Sequence, residues 1–297
     1  MCLIAFALGM SSRWPLVIAA NRDEYRARPT APLALWKTPN GQPVLSGRDL
    51  RAGGAWMGAS PGGRIAFLTN VREPAELGDT GLPLLISRGN LVTRWLDGVD
   101  ETAAAMVEAL QNQAHSAAAD YAGFNLVLGD AVHGQWHCVR HQRAGLPIPA
   151  HGNTSRWSVQ QLPSGVYGLS NAALDTPWPK TTRLKAELTH ALAHAGSGQA
   201  LQNQLWRALS DPTRSSKANL PATGVSPAAE LALSSVFVDY PEQAYGTRSS
   251  AVWLATAGGQ ASEPWNVTAQ ERTFFGQATP FSTAAHAMQW MPVVPAV

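Results

Sequence analysis

Cysteine, lysine and long apolar runs are all scarce in this sequence, and each shortage removes a class of function. Cys2 and Cys138 are the only cysteines in 297 residues, too few for a disulfide framework or a thiolate zinc site and in keeping with a reducing compartment. Lysine occurs only as Lys37, Lys180, Lys185 and Lys217, and the formal net charge is +2. With no basic run, the chain has no footprint of a nucleic-acid groove. No window approaches the roughly eighteen uninterrupted apolar residues of a membrane span. Met1–Met10 has no basic n-region and runs straight into Ser11-Ser12-Arg13-Trp14, unlike a secretory signal. The expectation is a cytoplasmic protein without a transmembrane segment, with peripheral membrane contact and oligomeric state left open. Walker loops, dinucleotide glycine fingerprints and zincin motifs are also missing.

What is present can build a large core, since 45% of the residues are hydrophobic and only 14% charged. Strands are expected at Met1–Leu8, Leu16–Ala20, Val44–Ser46, Ala55–Ala59 and Arg64–Asn70. Helical composition follows at Ser87–Leu96 and Glu101–His115. Strand patterns return at Phe124–Asp130, Gln135–Arg140 and Val166–Leu169. Lys180–Ala195 and Ala200–Leu209 read as helices, Asp211–Ala229 as a surface loop, and Val236–Val238, Ser249–Ala255 and Arg272–Gly276 as late strands. Runs of strands separated by blocks of helix indicate an α+β layered fold rather than a doubly wound one. No repeat or composition shift marks a domain boundary, and the tail from Thr279 has no clear pattern.

The chemistry concentrates at the start. If the methionine is trimmed from Met1-Cys2, one residue carries both a thiol nucleophile and an α-amine to serve as its base; the competing reading is a small buried hydrophobe on a first strand. Asn21-Arg22-Asp23-Glu24 ends the second apolar stretch. Arg22 would favour a thiolate and Asp23 would orient the amine, yet neighbours on a strand point to opposite faces, so only a strand end or turn would let both serve one site. A surface ion pair is the alternative. Asn171, after Tyr167-Gly168-Leu169-Ser170, and Asn70, closing Ile65–Thr69, are each placed to donate to an oxyanion or to occupy a turn. Arg248 is a late strand-edge guanidinium suited to a carboxylate.

Eleven tryptophans, among them Trp56 and Trp178 near turn-like sequence, could line an apolar ligand site or simply pack. His133, His137 and His141 recur every fourth residue, but on a strand the outer two stand roughly 26 Å apart. The sequence therefore offers no metal site. His190 and His194 read as helix surface.

These residues together resemble the NRDE family, which includes the transport and Golgi organisation protein 2 homologues. The likeness runs through Met1-Cys2, Ala19–Glu24, Arg28-Pro29, Leu45-Ser46-Gly47, Gly53–Gly58, Leu68–Asn70, Ser87–Val92, Tyr121–Leu126, Gly165–Ala172, Thr176-Pro177-Trp178 and Tyr245–Arg248. Ala55 stands where the family usually has Thr, and Asn90 where it usually has Glu. The resemblance implies one domain over residues 1–297 with the four-layer αββα sandwich of N-terminal-nucleophile hydrolases, a superfamily that includes penicillin V acylases and bile-salt hydrolases. By that likeness Cys2 would be the nucleophile, Arg22 and Asp23 its activators, Asn171 the oxyanion donor and Arg248 a site-stabilising cation. Asn21, Asn70, Trp56 and Trp178 are the matching candidates for substrate binding. Two activities follow as expectations: a cysteine amidohydrolase or acyltransferase acting on a small amide or acyl substrate, or a non-catalytic carrier of haem or a lipid-like ligand. No cofactor is required by the first, and haem would be the cargo of the second.

Overall fold

A computed structural model describes residues 2–72, 86–114, 121–142, 157–260, 263–275 and 280–292. The chain opens with β1 (Cys2–Leu8) and β2 (Leu16–Tyr25). It continues through β3 (Thr30–Lys37), β4 (Pro43–Asp49), β5 (Met57–Ala59), β6 (Arg64–Asn70), α1 (Gly89–Leu96) and α2 (Ala103–Ala114). Next come β7 (Phe124–Asp130), β8 (Gln135–His141), β9 (Trp157–Gln161), β10 (Gly165–Leu169), α3 (Pro179–His194), α4 (Gly198–Leu209) and α5 (Pro227–Ala232). The last strands are β11 (Asp239–Tyr240), β12 (Tyr245–Thr256), β13 (Trp265–Thr273) and β14 (Ser282–Trp290). These elements form two compact units, Met1–Arg28 with Pro163–Val297, and Pro29–Leu162.

The first unit holds an antiparallel sheet in the order β10-β1-β2-β12-β13-β14, with β11 paired to β12. Gly9, at φ 61°, turns the chain between β1 and β2, and its N–H donates to the Pro15 carbonyl at 2.8 Å. That left-handed conformation is one a residue with a Cβ adopts at a cost. Every residue of β1 is buried, which is why its sequence is a continuous apolar run rather than an alternation. One face carries Leu3, Ala5 and Ala7 with Val17 and Ala19 of β2, packed against Leu184, Leu188 and Ala191 of α3 and Leu201, Leu205 and Leu209 of α4. Burying side chains of this size contributes about 1.5–3 kcal/mol each. α3 starts with Pro179 in its first turn, where the missing N–H has no helical role. α4 is capped by Ser197, whose hydroxyl accepts from the Ala200 N–H.

The second unit holds a sheet in the order β3-β4-β5-β6-β7-β8-β9. Ala66, Leu68, Leu126, Leu128 and Val139 pack against Leu91, Val92, Trp95 and Leu96 of α1 and Met106 and Leu110 of α2. Two sheets of antiparallel strands with helices grouped on them make this an α+β fold.

Several elements differ from expectation, each for a local reason. β3 contains Pro32 and shifts register between Ala31 and Ala34, which an edge strand tolerates. Exposed side chains leave β9 and β14 with little apolar signal. β14 lies in the tail that the sequence left unassigned. Val236–Val238 is buried irregular chain outside the ladder, fixed by Phe237 N–H to the Asp211 carbonyl and Val238 N–H to Thr247 Oγ1. Met1, His115, Gly276 and Thr279 lie outside the described residues.

Gly54 and Gly89 seat α1 backbone to backbone. The Ala55 N–H donates to the Gly89 carbonyl at 3.2 Å, and a Cβ on Gly54 would stand 2.5 Å from the Gly89 carbonyl carbon. Gly54→Ala is expected to destabilise the protein by about 1–3 kcal/mol in urea unfolding. Gly196→Ala, at a position where a Cβ meets nothing within 4 Å, should leave the transition close to wild type.

Candidate functional site

Register along the β1–β2 pair decides what surrounds Cys2. Cys2 lies directly opposite Arg22, and Leu3 opposite Asn21. Directly paired residues share a face, so the Cys2 thiol and the Arg22 guanidinium emerge together, on the side away from the α3 and α4 packing. On the other flank Ile4 pairs with Leu169; continued past the end of β10, this register brings Asn171 level with Cys2. The Ser170 hydroxyl ties the corner, lying 3.3 Å from the Cys2 carbonyl and 3.2 Å from Asn171 Oδ1. Asn171 is 1% exposed. The loop beyond it is pinned to β10 by two bonds, Asp175 N–H to the Gly168 carbonyl and Gly168 N–H to Asp175 Oδ1. Asp175 sits at φ 57°.

Asp23 is the next residue of β2 and therefore faces the helices, opposite to Arg22. It nevertheless adjoins Cys2 by another route. The strands are antiparallel, so stepping from Arg22 to Asp23 corresponds to stepping from the Cys2 Cα back towards its α-nitrogen. The thiol meets Arg22 and the α-nitrogen lies on the Asp23 side. Both roles are therefore compatible with a continuous strand, and no turn is needed to bring them together.

Asp23 is held tightly. Thr247 lies opposite it and donates through Oγ1 to Asp23 Oδ1 at 2.8 Å, while the Tyr245 hydroxyl donates to its backbone carbonyl at 2.8 Å. Burial pushes the Asp23 carboxyl up from the ordinary range, opposed first by the charge of Lys180 and then by the amino terminus, Thr247 and Arg22. The Cys2 thiol is also pushed up by burial, with the amino terminus and Arg22 pulling it down and Asp23 and Glu24 adding to the rise. Tyr245 is driven well above the usual phenol range by burial and by Asp23, so its hydroxyl stays a donor.

Arg248 occupies a β-bulge. Thr247 pairs with Asp23 and Ser249 with Arg22, so Arg248 is the extra residue, and a bulge of this kind re-aims the side chain it carries. One guanidinium nitrogen of Arg248 lies 3.0, 2.6 and 3.3 Å from the carbonyls of Tyr25, Arg26 and Arg28. Arg248 thus shapes the turn that leaves β2. Burial lowers its pKa, and the neighbouring Arg22 adds to that.

Asn21 has a different surrounding. Its amide nitrogen donates to the Leu209 and Val236 carbonyls, both at 2.9 Å, and its oxygen accepts from Ser250 Oγ at 2.6 Å. It ties β2 to the end of α4. Trp178 stands half-buried at the N-cap of α3. Asn70 and Trp56 belong to the second unit. Asn70 closes β6 opposite Phe124, and the Trp56 ring lies over Gly47, where a Cβ would come within 2.3 Å of it.

Sequence reasoning did not single out Glu24, Lys180, Tyr245 or Thr247. Glu24 lies two residues from Arg22 on the same face and pairs with it at 3.5 Å. The missed signal was period two: Arg22 and Glu24 alternate along one strand. Lys180 and Thr247 carry no signal until the helix and the bulge are placed.

Over 97% of this chain and 92% of its own, the crystal structure of a mutant conjugated bile acid hydrolase from Clostridium perfringens is similar, with 10% identity and a TM-score of 0.51. That likeness shows the fold, the α+β sandwich of N-terminal-nucleophile hydrolases. The chain is 30% identical to the Transport and Golgi organization protein 2 homolog of Bos taurus over 96% of this chain and 98% of the relative. It is 29% identical to that of Homo sapiens, over 88% and 91%. The family description Transport and Golgi organisation 2 matches residues 1–274, and the chain belongs to that family.

Proposed function

We propose that this protein is a cysteine amidohydrolase or acyltransferase in which Cys2, once its α-amine is exposed, is both nucleophile and base. The observation that carries the reading is the pairing of Cys2 with Arg22, which sets the thiol against a guanidinium and the α-nitrogen towards Asp23. In the resting chain, burial keeps the sulfur protonated. A free amine takes the thiol proton and the thiolate attacks the carbonyl carbon of a small amide. The oxyanion that develops is met by the Asn171 amide, fixed at its oxygen end by Ser170. The carbon–nitrogen bond breaks, the leaving amine takes the proton from the α-ammonium, and a thioester remains. Water or another acceptor, deprotonated by the same amine, then attacks the thioester and releases the thiol. Arg22 stabilises the thiolate form. Arg248 holds the strand exit in place from its bulge and adds positive charge to the site.

Intact mass of the purified chain should lack Met1, and exposure to a β-lactone should add one acyl mass, located on Cys2. Cys2→Ala should remain unlabelled. Cys138, buried in β8, should remain unmodified in both proteins. A retained methionine, or labelling that persists without Cys2, overturns the reading.

Asn171→Ala should slow acylation of Cys2 by about 100-fold, the usual cost of removing one oxyanion donor. An unchanged rate would remove Asn171 from the chemistry. With the α-amine blocked by an engineered preceding residue, alkylation by iodoacetamide should rise only above the pH range of a free cysteine, because burial raises the thiol.

A further inference from the structure

The proposed reaction leaves the deeply buried Lys180 without a task. Lys180 is 3% exposed in the first turn of α3. It begins a stripe at helical spacing with Leu184 and Leu188, and those leucines pack on the sheet face that carries Leu3, Val17 and Ala19. Asp23 continues the same face along β2 after Asn21, whose contact with the end of α4 confirms its direction, and is 1% exposed. An ammonium and a carboxylate thus share one solvent-free interface, where unpaired charge is very costly. The groups bearing on Asp23 are Thr247 and Tyr245 from β12, the amino terminus of the chain, Arg22 on its own strand and Lys180 from α3.

We propose that Lys180 is a positioning residue for the Cys2 amine, acting through Asp23. The assignment rests on the amine being the base. A buried carboxylate without a cation has two outcomes, and both disable that base. It takes up a proton and ceases to be a pure acceptor, or it stays ionised and holds the amine as ammonium. With its charge balanced by Lys180, Asp23 accepts an N–H from the amine and orients it while the nitrogen lone pair stays available for the thiol proton. Lys180 is assigned to act through Asp23, on which its charge bears, while the thiol feels the amino terminus, Arg22, Asp23 and Glu24.

The test is the pH dependence of Cys2 alkylation by iodoacetamide, read by peptide mass on the full chain, after intact mass has established the state of the amine. Lys180→Met should move the half-maximal rate upward by about one pH unit, Lys180→Arg should restore the wild-type profile, and in an Asp23→Asn background Lys180→Met should produce no further shift. A wild-type profile in Lys180→Met, or a shift that survives Asp23→Asn, overturns the assignment. Should Lys180→Met fail to fold, the double variant with Asp23→Asn should fold, because the stranded carboxylate is gone; a double variant as unfolded as the single one also overturns it. A blocked amine in the wild-type protein overturns the amine-base reading together with this one, whereas a free amine with an unmoved profile overturns only the part given to Lys180.

Discussion

Side-chain alternation across a strand is the constraint on which this arrangement depends. β2 presents Asn21 and Asp23 to the helices and Arg22 and Glu24 to the opposite face, and it cannot do otherwise while it remains a strand. Four consecutive polar residues are therefore divided between two environments. One pair meets the thiol side and the other meets the core packing. A slip of one residue in the β1–β2 register would exchange them, placing a carboxylate beside the sulfur and a guanidinium among the leucines of α3. The continuous burial of β1 and the Gly9 turn guard against that slip.

Buried charge is the second theme, and here the two faces balance differently. On the thiol side Arg22 and Arg248 place two guanidinium groups near one another, moderated by Glu24 and by the backbone carbonyls that surround Arg248. On the helix side the Asp23 carboxylate accepts from the Thr247 hydroxyl and feels the charge of Lys180. Burial raises both Cys2 and Asp23, and neighbouring positive charge opposes the rise in each. Perturbed titratable groups of this kind cluster at functional sites more often than elsewhere.

How much of this was legible in the sequence follows from the range of each signal. Apolar runs and turn glycines located β1, β2, β6, β7 and β8 because those strands are buried and locally bounded. Resemblance carried by the motifs from Met1-Cys2 and Ala19–Glu24 through Tyr245–Arg248 identified the fold. β3, β9 and β14 were not legible, because strands with exposed faces and a mid-strand proline show little periodicity. Lys180 was invisible for another reason. Asp23, on which its charge bears, is 157 positions away along the chain, and only the packing of α3 on β1 and β10 reveals that a lysine buried in the first turn of that helix points inward. The bulge at Arg248 likewise cannot be read from Tyr245–Ser249, since it exists only relative to β2.

The three hydrogen bonds around Asn21 carry a consequence for how relatives of this chain should be interpreted. Its carboxamide welds the central strand to the end of α4 and to Ser250, a mechanical duty independent of any turnover. The tetrapeptide therefore carries a scaffold duty at its first residue. The first letter of that signature is thus tied to the anchoring of the central strand, and a relative that kept only this letter would be declaring an architecture and nothing about its chemistry.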